Sequence, residues 1–314
     1  MMNIHLVQYL KRVAHRIFFH QRNLTPREKH EWTIGLYQGA TPWEIYPIDK
    51  IENPVLTRKD VTDAKASFVA DPFMLKVNGA WYMFFEVMNG DTGKGEIGLA
   101  TSENGYFWQY QQIVLNEPFH LSYPYVFAWD AEYYMVPESW KSGGVNLYRA
   151  NNFPTEWSYV TTLVKRPYIA DSSLVYFEGY WWMFAETGVD FSFDTLCLYF
   201  ARTLYGPWVE HPQSPVITNN PHIARPAGRL LVVNNRVIRF AQDCAPKYGM
   251  KVFAFEVEVL TPKLYSEKPL LTSAIVEGTD VGWNKNGMHH IDAHNLNDGK
   301  WIACVDGWRS VLVS

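Results

Sequence analysis

The chain has 314 residues, of which 47% are hydrophobic and 16% aromatic, and its formal net charge is −4. That length supports a large core, and a mildly acidic chain with no basic run beyond its N-terminus is a poor match for nucleic acid. Cys197, Cys244 and Cys304 stand far apart with no CxxC, which argues against a disulfide framework or zinc site and fits a reducing, cytoplasmic compartment.

Residues 1–30 differ from the rest. Leu6, Leu10, Val13 and Ile17 recur at helical spacing, and six Lys/Arg accompany one acidic residue. The pattern predicts a short basic amphipathic helical extension, distinct from a domain at 31–314. Two placements are open: contact of residues 1–24 with an anionic membrane surface, or docking on the chain's own domain or a second subunit. The oligomeric state is not legible. No apolar run reaches the ~18 residues of a membrane span, and the patch before Lys11 lacks the charged opening of a signal peptide.

Residues 31–57 hold strand-like runs at 33–38 and 43–47. Next, Ser67–Glu86 reads as a β-hairpin about Asn78-Gly79, a pair suited to the two positive φ angles of a type I′ turn. Pairing about that turn sets Asp71 opposite Glu86. The pattern returns at 122–138, with Tyr123 opposite Glu138 about Asp130-Ala131, and at 169–186, with Asp171 opposite Glu186 about Glu178-Gly179. A fourth copy at 224–242 has Arg225 and Gln242 at its ends, and a weaker fifth at 289–306 ends at Asp306.

Strand-like sequence follows each of the first four hairpins and is missing after the fifth. The run at 31–57 matches that missing half. The expectation is therefore an all-β, five-bladed β-propeller whose ring is closed by N-terminal strands joining the C-terminal blade. In such a ring the starts of the inner strands (Asp71, Tyr123, Asp171, Arg225 and His290) converge with the ends of the second strands (Glu86, Glu138, Glu186, Gln242 and Asp306).

Polar groups gathered on one axis point to chemistry, because buried charge is costly unless wet, paired or metal-bound. Paired carboxylates in unequal environments suit glycosyl chemistry, one ionised and one protonated. Arg225 is open to two roles, gripping an anionic substrate group or pairing with Asp171 or Glu186. His222, His289, His290, Asp292 and Asp306 complete the candidate substrate-binding set with Glu86, Tyr123 and Arg225. His290, Asp292 and His294 share a strand face, but the outer two lie about 13 Å apart, too far to hold one ion. No serine-hydrolase elbow, phosphate loop or dinucleotide fingerprint is present.

The ADPF at Ala70–Phe73 resembles the start of the base-bearing strand in glycoside hydrolase families 43, 32 and 68. The resemblance implies Asp71 as base or nucleophile and Asp171 as the residue tuning the acid, with Glu138 and Glu186 both candidates for that acid. It also likens His290 to a last-blade histidine near an axial ion; no other cofactor is expected. A closer resemblance runs from Trp32 to Trp308. WTIGLYQGATPWEI, FVADPF, YPYVF, PES, IADSS and GMHHIDAH resemble the N-terminal propeller domain of plant glucosamine inositolphosphorylceramide transferases and their bacterial relatives. In the plant proteins a separate glycosyltransferase domain follows, so its activity is not carried over.

The expected function is a carbohydrate-active enzyme that hydrolyses or transfers a glycosyl group in an axial, carboxylate-lined pocket, such as one serving polysaccharide biosynthesis. The alternative is a non-catalytic module that binds a glycan or glycolipid headgroup beside a separate glycosyltransferase.

Overall fold

Tight turns set the plan of the molecule. The computed structural model describes residues 27–296 and 298–313. Its hairpins reverse at Asn78 (φ 51°) and Gly79 (φ 88°), Asp130 (51°) and Ala131 (61°), Glu178 (49°) and Gly179 (79°), and Asn234 (50°) and Asn235 (60°). Two consecutive positive φ angles match the right-handed twist of the flanking strands.

Five antiparallel sheets follow. The first blade runs outward through Ala66–Val77, Ala80–Asn89, Lys94–Ser102 and Gln109–Leu115. The second comprises Ser122–Trp129, Glu132–Glu138, Gly144–Asn152 and Glu156–Lys165, and the third Ala170–Phe177, Tyr180–Glu186, Leu196–Ala201 and Val209–Glu210. The fourth has a broken inner strand, Arg225–Pro226 and Leu231–Val233, against Arg236–Asp243, Lys251–Leu260 and Tyr265–Pro269; Val276–Glu277 also pairs with its third strand.

The fifth blade is built from both ends of the chain, in the order Glu44–Pro47, Arg27–Thr41, Trp301–Val313, Ile291–Asn295. The ring therefore closes as the sequence predicts. Ile34 and Leu36, both fully buried, join Ile302, Cys304, Met83 and Phe85 in one apolar cluster between the fifth and first blades. Burying each such side chain contributes about 1.5–3 kcal/mol. A second cluster, with Phe73, Phe84, Met135, Leu147, Trp181 and Met183, seals the first three blades together.

The chain divides into two units, Glu31–Arg309 and Met1–His30 with Ser310–Ser314. The second is described only at the strand ends from 27 to 30 and from 310 to 313. The expected N-terminal helix lies outside the described residues up to 26, and 27–30 is strand rather than helix. Apart from strands, the described residues hold two single-turn 3₁₀ segments, Trp140–Ser142 and Val189–Phe191. All three cysteines are buried free thiols.

Candidate functional site

The inner strands of the first three blades share one irregularity. Ala70 pairs with Glu86 and Phe73 with Phe84; Ser122 with Glu138 and Tyr125 with Val136; Ala170 with Glu186 and Ser173 with Phe184. The expected facing pairs Asp71–Glu86, Tyr123–Glu138 and Asp171–Glu186 are thus each displaced by one residue. The cause is a bulge whose first residue is left-handed: Asp71 at φ 53°, Tyr123 at 44° and Asp171 at 47°. Each such conformation costs a non-glycine residue about 1–2 kcal/mol. The bulge re-aims the side chain out of the strand's alternation, which brings these residues together across blades. Arg225, in the fourth blade, pairs with Gln242 as the sequence implied.

Asp71 is bound on three sides. Its backbone N–H donates to Asp306 Oδ2 at 2.9 Å, and its Oδ2 accepts from the Tyr123 N–H at 3.2 Å. Its Oδ1 lies 3.8 Å from both His289 Nε2 and His290 Nδ1. Asp306 accepts from His289 Nδ1 at 2.7 Å, which holds the Asp306 carboxyl below the usual range and raises His289 against its burial. His289 stacks on Trp32, with ring centroids 4.0 Å apart. Burial pushes the Asp71 carboxyl up, so Asp306 is the more firmly ionised of the two.

Three glutamates close the site, none more than 5% exposed. Glu138 accepts from the Trp140 N–H at 2.8 Å and bonds the Ser122 hydroxyl at 3.0 Å; burial, then the charge on Asp171, pushes it up to about 8. Glu186 accepts from the Gly188 N–H through Oε1 at 2.5 Å, and burial lifts it to about 7 against the pull of Arg225. Its Oε2 has no hydrogen bond among the described residues and is not sealed off. Burial, then the charge on Asp71, raises Glu86 well above the usual range; its Oε1 is a buried acceptor with no hydrogen bond. Asp171 Oδ2 receives Arg225 Nε at 2.6 Å and Gln242 Nε2 at 3.0 Å, leaving Oδ1 buried and unmet.

Two expected substrate contacts are already engaged within the protein. The Tyr123 hydroxyl is fully buried, bonds Ser173 Oγ at 2.7 Å, donates to the Gly228 carbonyl and accepts from the Gly228 N–H at 2.6 Å. It ties the second blade to the third and fourth. Asp292 is sealed by Arg229 Nε at 2.6 Å, the Met74 N–H at 2.6 Å and His294 Nε2 at 2.9 Å. This interior clamp cannot reach a ligand, and Arg229 holds the Asp292 carboxyl far below its ordinary value against burial. His222 is more than half exposed and bonds Asp243 at 2.8 Å.

His290 is fully buried with neither ring nitrogen hydrogen-bonded, packed edge-on against Phe73 at 4.6 Å, and burial pushes it down to about 4. Ligand atoms of Asp71, His289 and Asp306 lie within 4.8 Å of one another. A cation ligated through His289 Nε2, 3.8 Å from Asp71 Oδ1, would need that nitrogen to give up its proton, while Nδ1–H stays with Asp306. The group therefore fits either a protonated His289 or a cation, not both.

Sequence reasoning missed His120, whose Nδ1 accepts from the Gly95 N–H at 2.8 Å, so that Nε2 carries the proton 3.5 Å from Glu86 Oε1. It also missed Tyr248 and Phe193, whose rings flank Arg225. His120 lies only three residues before Tyr123, but a lone histidine in a connecting segment carries no periodic signal.

The family model described as glucosamine inositolphosphorylceramide transferase 1, N-terminal, matches residues 25–308. Glucosamine inositolphosphorylceramide transferase 1 of Oryza sativa subsp. japonica is 37% identical over 307 residues, covering 90% of this chain and 41% of the relative. Its namesake in Arabidopsis thaliana is 33% identical over 306 residues, covering 90% and 40%. The chain thus spans about two fifths of the length of these relatives. Among solved structures, an exo-1,5-α-L-arabinanase from a bovine ruminal metagenomic library superposes with TM-score 0.56 at 11% identity, covering 79% of this chain and 94% of that one. A family 117 glycoside hydrolase of Zobellia galactanivorans gives TM-score 0.54 at 14% identity, covering 76% and 84%. At that identity the likeness is one of fold, and it agrees with the five blades. The match over residues 25–308 and the 33–37% identity to the plant proteins settle the kinship: the chain belongs to the glucosamine inositolphosphorylceramide transferase 1 N-terminal family.

Proposed function

We propose that this propeller binds a sugar or sugar-bearing headgroup where its inner strands begin, and transfers or hydrolyses a glycosyl group there. Glu186 acts as the acid and gives its proton to the leaving oxygen. Asp71 acts as the base on the incoming hydroxyl, from water in hydrolysis or from an acceptor in transfer. Asp171 holds Arg225 beside the acid. The observation that carries the reading is Glu186: buried, raised to about 7, fixed at one oxygen by Gly188 and open at the other. Glu138 has both oxygens engaged, which suits it less to proton delivery. The relatives' name, a transferase, and the hydrolase neighbours both favour glycosyl chemistry.

A second reading is favoured by the depth of the site. Six carboxylates at 5% exposure or less also suit a module that grips a sugar without cleaving it. Aryl glycosides and nucleotide-sugar donors, with and without glycolipid acceptors, separate the two. Product should form with wild-type protein. Asp71→Asn and Glu186→Gln should each cut turnover by about 10²–10⁴-fold with the fold retained. Saturable sugar binding with no turnover of any substrate in the panel would replace the enzyme with the binding module.

A further inference from the structure

Three arginines have their side chains almost entirely inside the ring, and in two of them at least one terminal nitrogen bonds the protein. Arg239 bonds Glu267 through Nε and Nη2, at 2.8 and 2.6 Å, and the Ile223 carbonyl through Nη1 at 3.0 Å. Arg229 bonds Asp292 through Nε at 2.6 Å and, through Nη2, Asp292 at 3.3 Å and the Met74 carbonyl at 3.2 Å. Arg225 does not follow them. Its side chain is 11% exposed, its Nε donates to Asp171 at 2.6 Å, and neither Nη1 nor Nη2 has a hydrogen bond among the described residues. Neither terminal nitrogen is sealed from solvent. An arginine that served only to neutralise Asp171 would present its fork, which matches a carboxylate with two parallel bonds. Here the ion pair uses the side of the guanidinium and turns the fork away.

The surroundings fix what the fork can accept. The guanidinium carbon lies 4.8 Å from the Phe193 ring centre and 5.1 Å from that of Tyr248. Both rings stand to one side of the guanidinium, their centres only 5.4 Å apart, and the unbonded fork keeps its planar, two-donor geometry, which matches a two-oxygen acceptor. Glu186 Oε2, the other oxygen of the site that is neither bonded nor sealed, calls for a hydroxyl partner. A ligand that satisfies both groups carries a hydroxyl and an anionic oxygen group together.

We infer that Arg225 makes this site selective for an acidic sugar or headgroup, gripping its carboxylate or phosphate through Nη1 and Nη2. The inference rests on the glycosyl-handling reading for the sugar, and on Arg225 alone for the acid. It is independent of whether the bound group then reacts.

Calorimetric titration of the full chain tests it with probes sharing one ring: D-glucuronate, D-glucose 1-phosphate and methyl D-glucoside, with inorganic phosphate as competitor. At least one acidic sugar should bind tenfold or more tighter than the neutral glucoside. The tighter of the two assigns the group as carboxylate or phosphate, and displacement by inorganic phosphate supports the second. Arg225→Lys keeps the charge beside Asp171 but loses the fork, so it should weaken the acidic ligand at least tenfold and narrow the gap between acidic and neutral sugar. If that variant fails to fold, the wild-type panel still decides. Equal affinity for acidic and neutral sugars, or undiminished acid binding by Arg225→Lys, overturns the inference and leaves the glycosyl-handling reading intact. Binding of none of the sugars overturns both.

Discussion

Replacing Glu138 by glutamine should make the protein more stable, and increasingly so as pH rises. Burial lifts this carboxyl to about 8, from 4.5 for the free group. Folding then takes up a proton, so the contribution is complete below about pH 4.5 and is lost as pH climbs toward 8. At about 1.4 kcal/mol per unit, holding that proton at pH 7 costs about 3 kcal/mol. Glutamine reproduces the protonated geometry: its carbonyl accepts from the Trp140 N–H and its amide donates to Ser122 Oγ, the partners now at 2.8 and 3.0 Å. Glu138→Gln therefore keeps both bonds and removes the cost. For a chain of this size it should raise Tm by about 5 °C at pH 7 and by almost nothing at pH 4.5. Differential scanning fluorimetry across pH 4.5–8 on both proteins measures the gap, and the other raised carboxyls largely cancel in the difference. A variant less stable than wild type at pH 8, or a gap that does not widen with pH, would show that Glu138 is not held protonated by burial.

The interior clamp gives the opposite sign. Asp292→Asn leaves Arg229 buried without its countercharge and should lose about 3–5 kcal/mol in urea unfolding; a loss under 1 kcal/mol would mean that the pair contributes little. Deleting residues 1–56 removes the strands that complete the fifth blade and should abolish the folded state, whereas deleting 1–24 should leave the propeller's circular dichroism and melting intact; a folded 57–314 fragment would refute the closure argument. If a protonated His289 fills the pocket shared with Asp71 and Asp306, millimolar calcium or a chelator should leave Tm unchanged, and a calcium-dependent rise of several degrees would assign the pocket to a cation.

Five hairpins were legible because turn pairs such as Asn78-Gly79 and Glu178-Gly179 carry their own backbone signature and the intervals between them repeat. The split fifth blade was legible from bookkeeping, since one outer half was missing after the last hairpin and one was spare before the first. The bulges were not. Simple pairing about the turn places Asp71 opposite Glu86, and nothing in Ala-Asp-Pro-Phe announces a left-handed Asp. Tyr123 and Asp292 show a related limit: position along a strand tells which end of the ring a residue occupies, but not whether its side chain is already spent on a neighbouring blade. Arg225 shows the same limit. Its pairing with Asp171 was foreseeable as one of two alternatives, whereas the choice of Nε over the fork leaves no mark in the sequence.

The same bulges explain how so costly a site is tolerated. Three left-handed residues and several carboxyls raised by burial all oppose folding, yet each is bound to a different blade. Asp306 of the fifth takes the Asp71 N–H of the first, Asp71 takes the Tyr123 N–H of the second, and the Tyr123 hydroxyl meets Ser173 of the third and Gly228 of the fourth. The strained positions are thus the ones that knit the blades together, and loosening one releases a contact between blades as well as a side chain. A closed ring makes this workable, because a displacement at one blade must be absorbed by its neighbours on both sides. Residues kept for chemistry alone would be free to relax at no cost to the ring. Here Asp71 and Asp306 are fastened into the frame, while Glu186 and Arg225 each keep one edge unspent. On the function proposed above, those two edges are where a ligand replaces a missing protein contact.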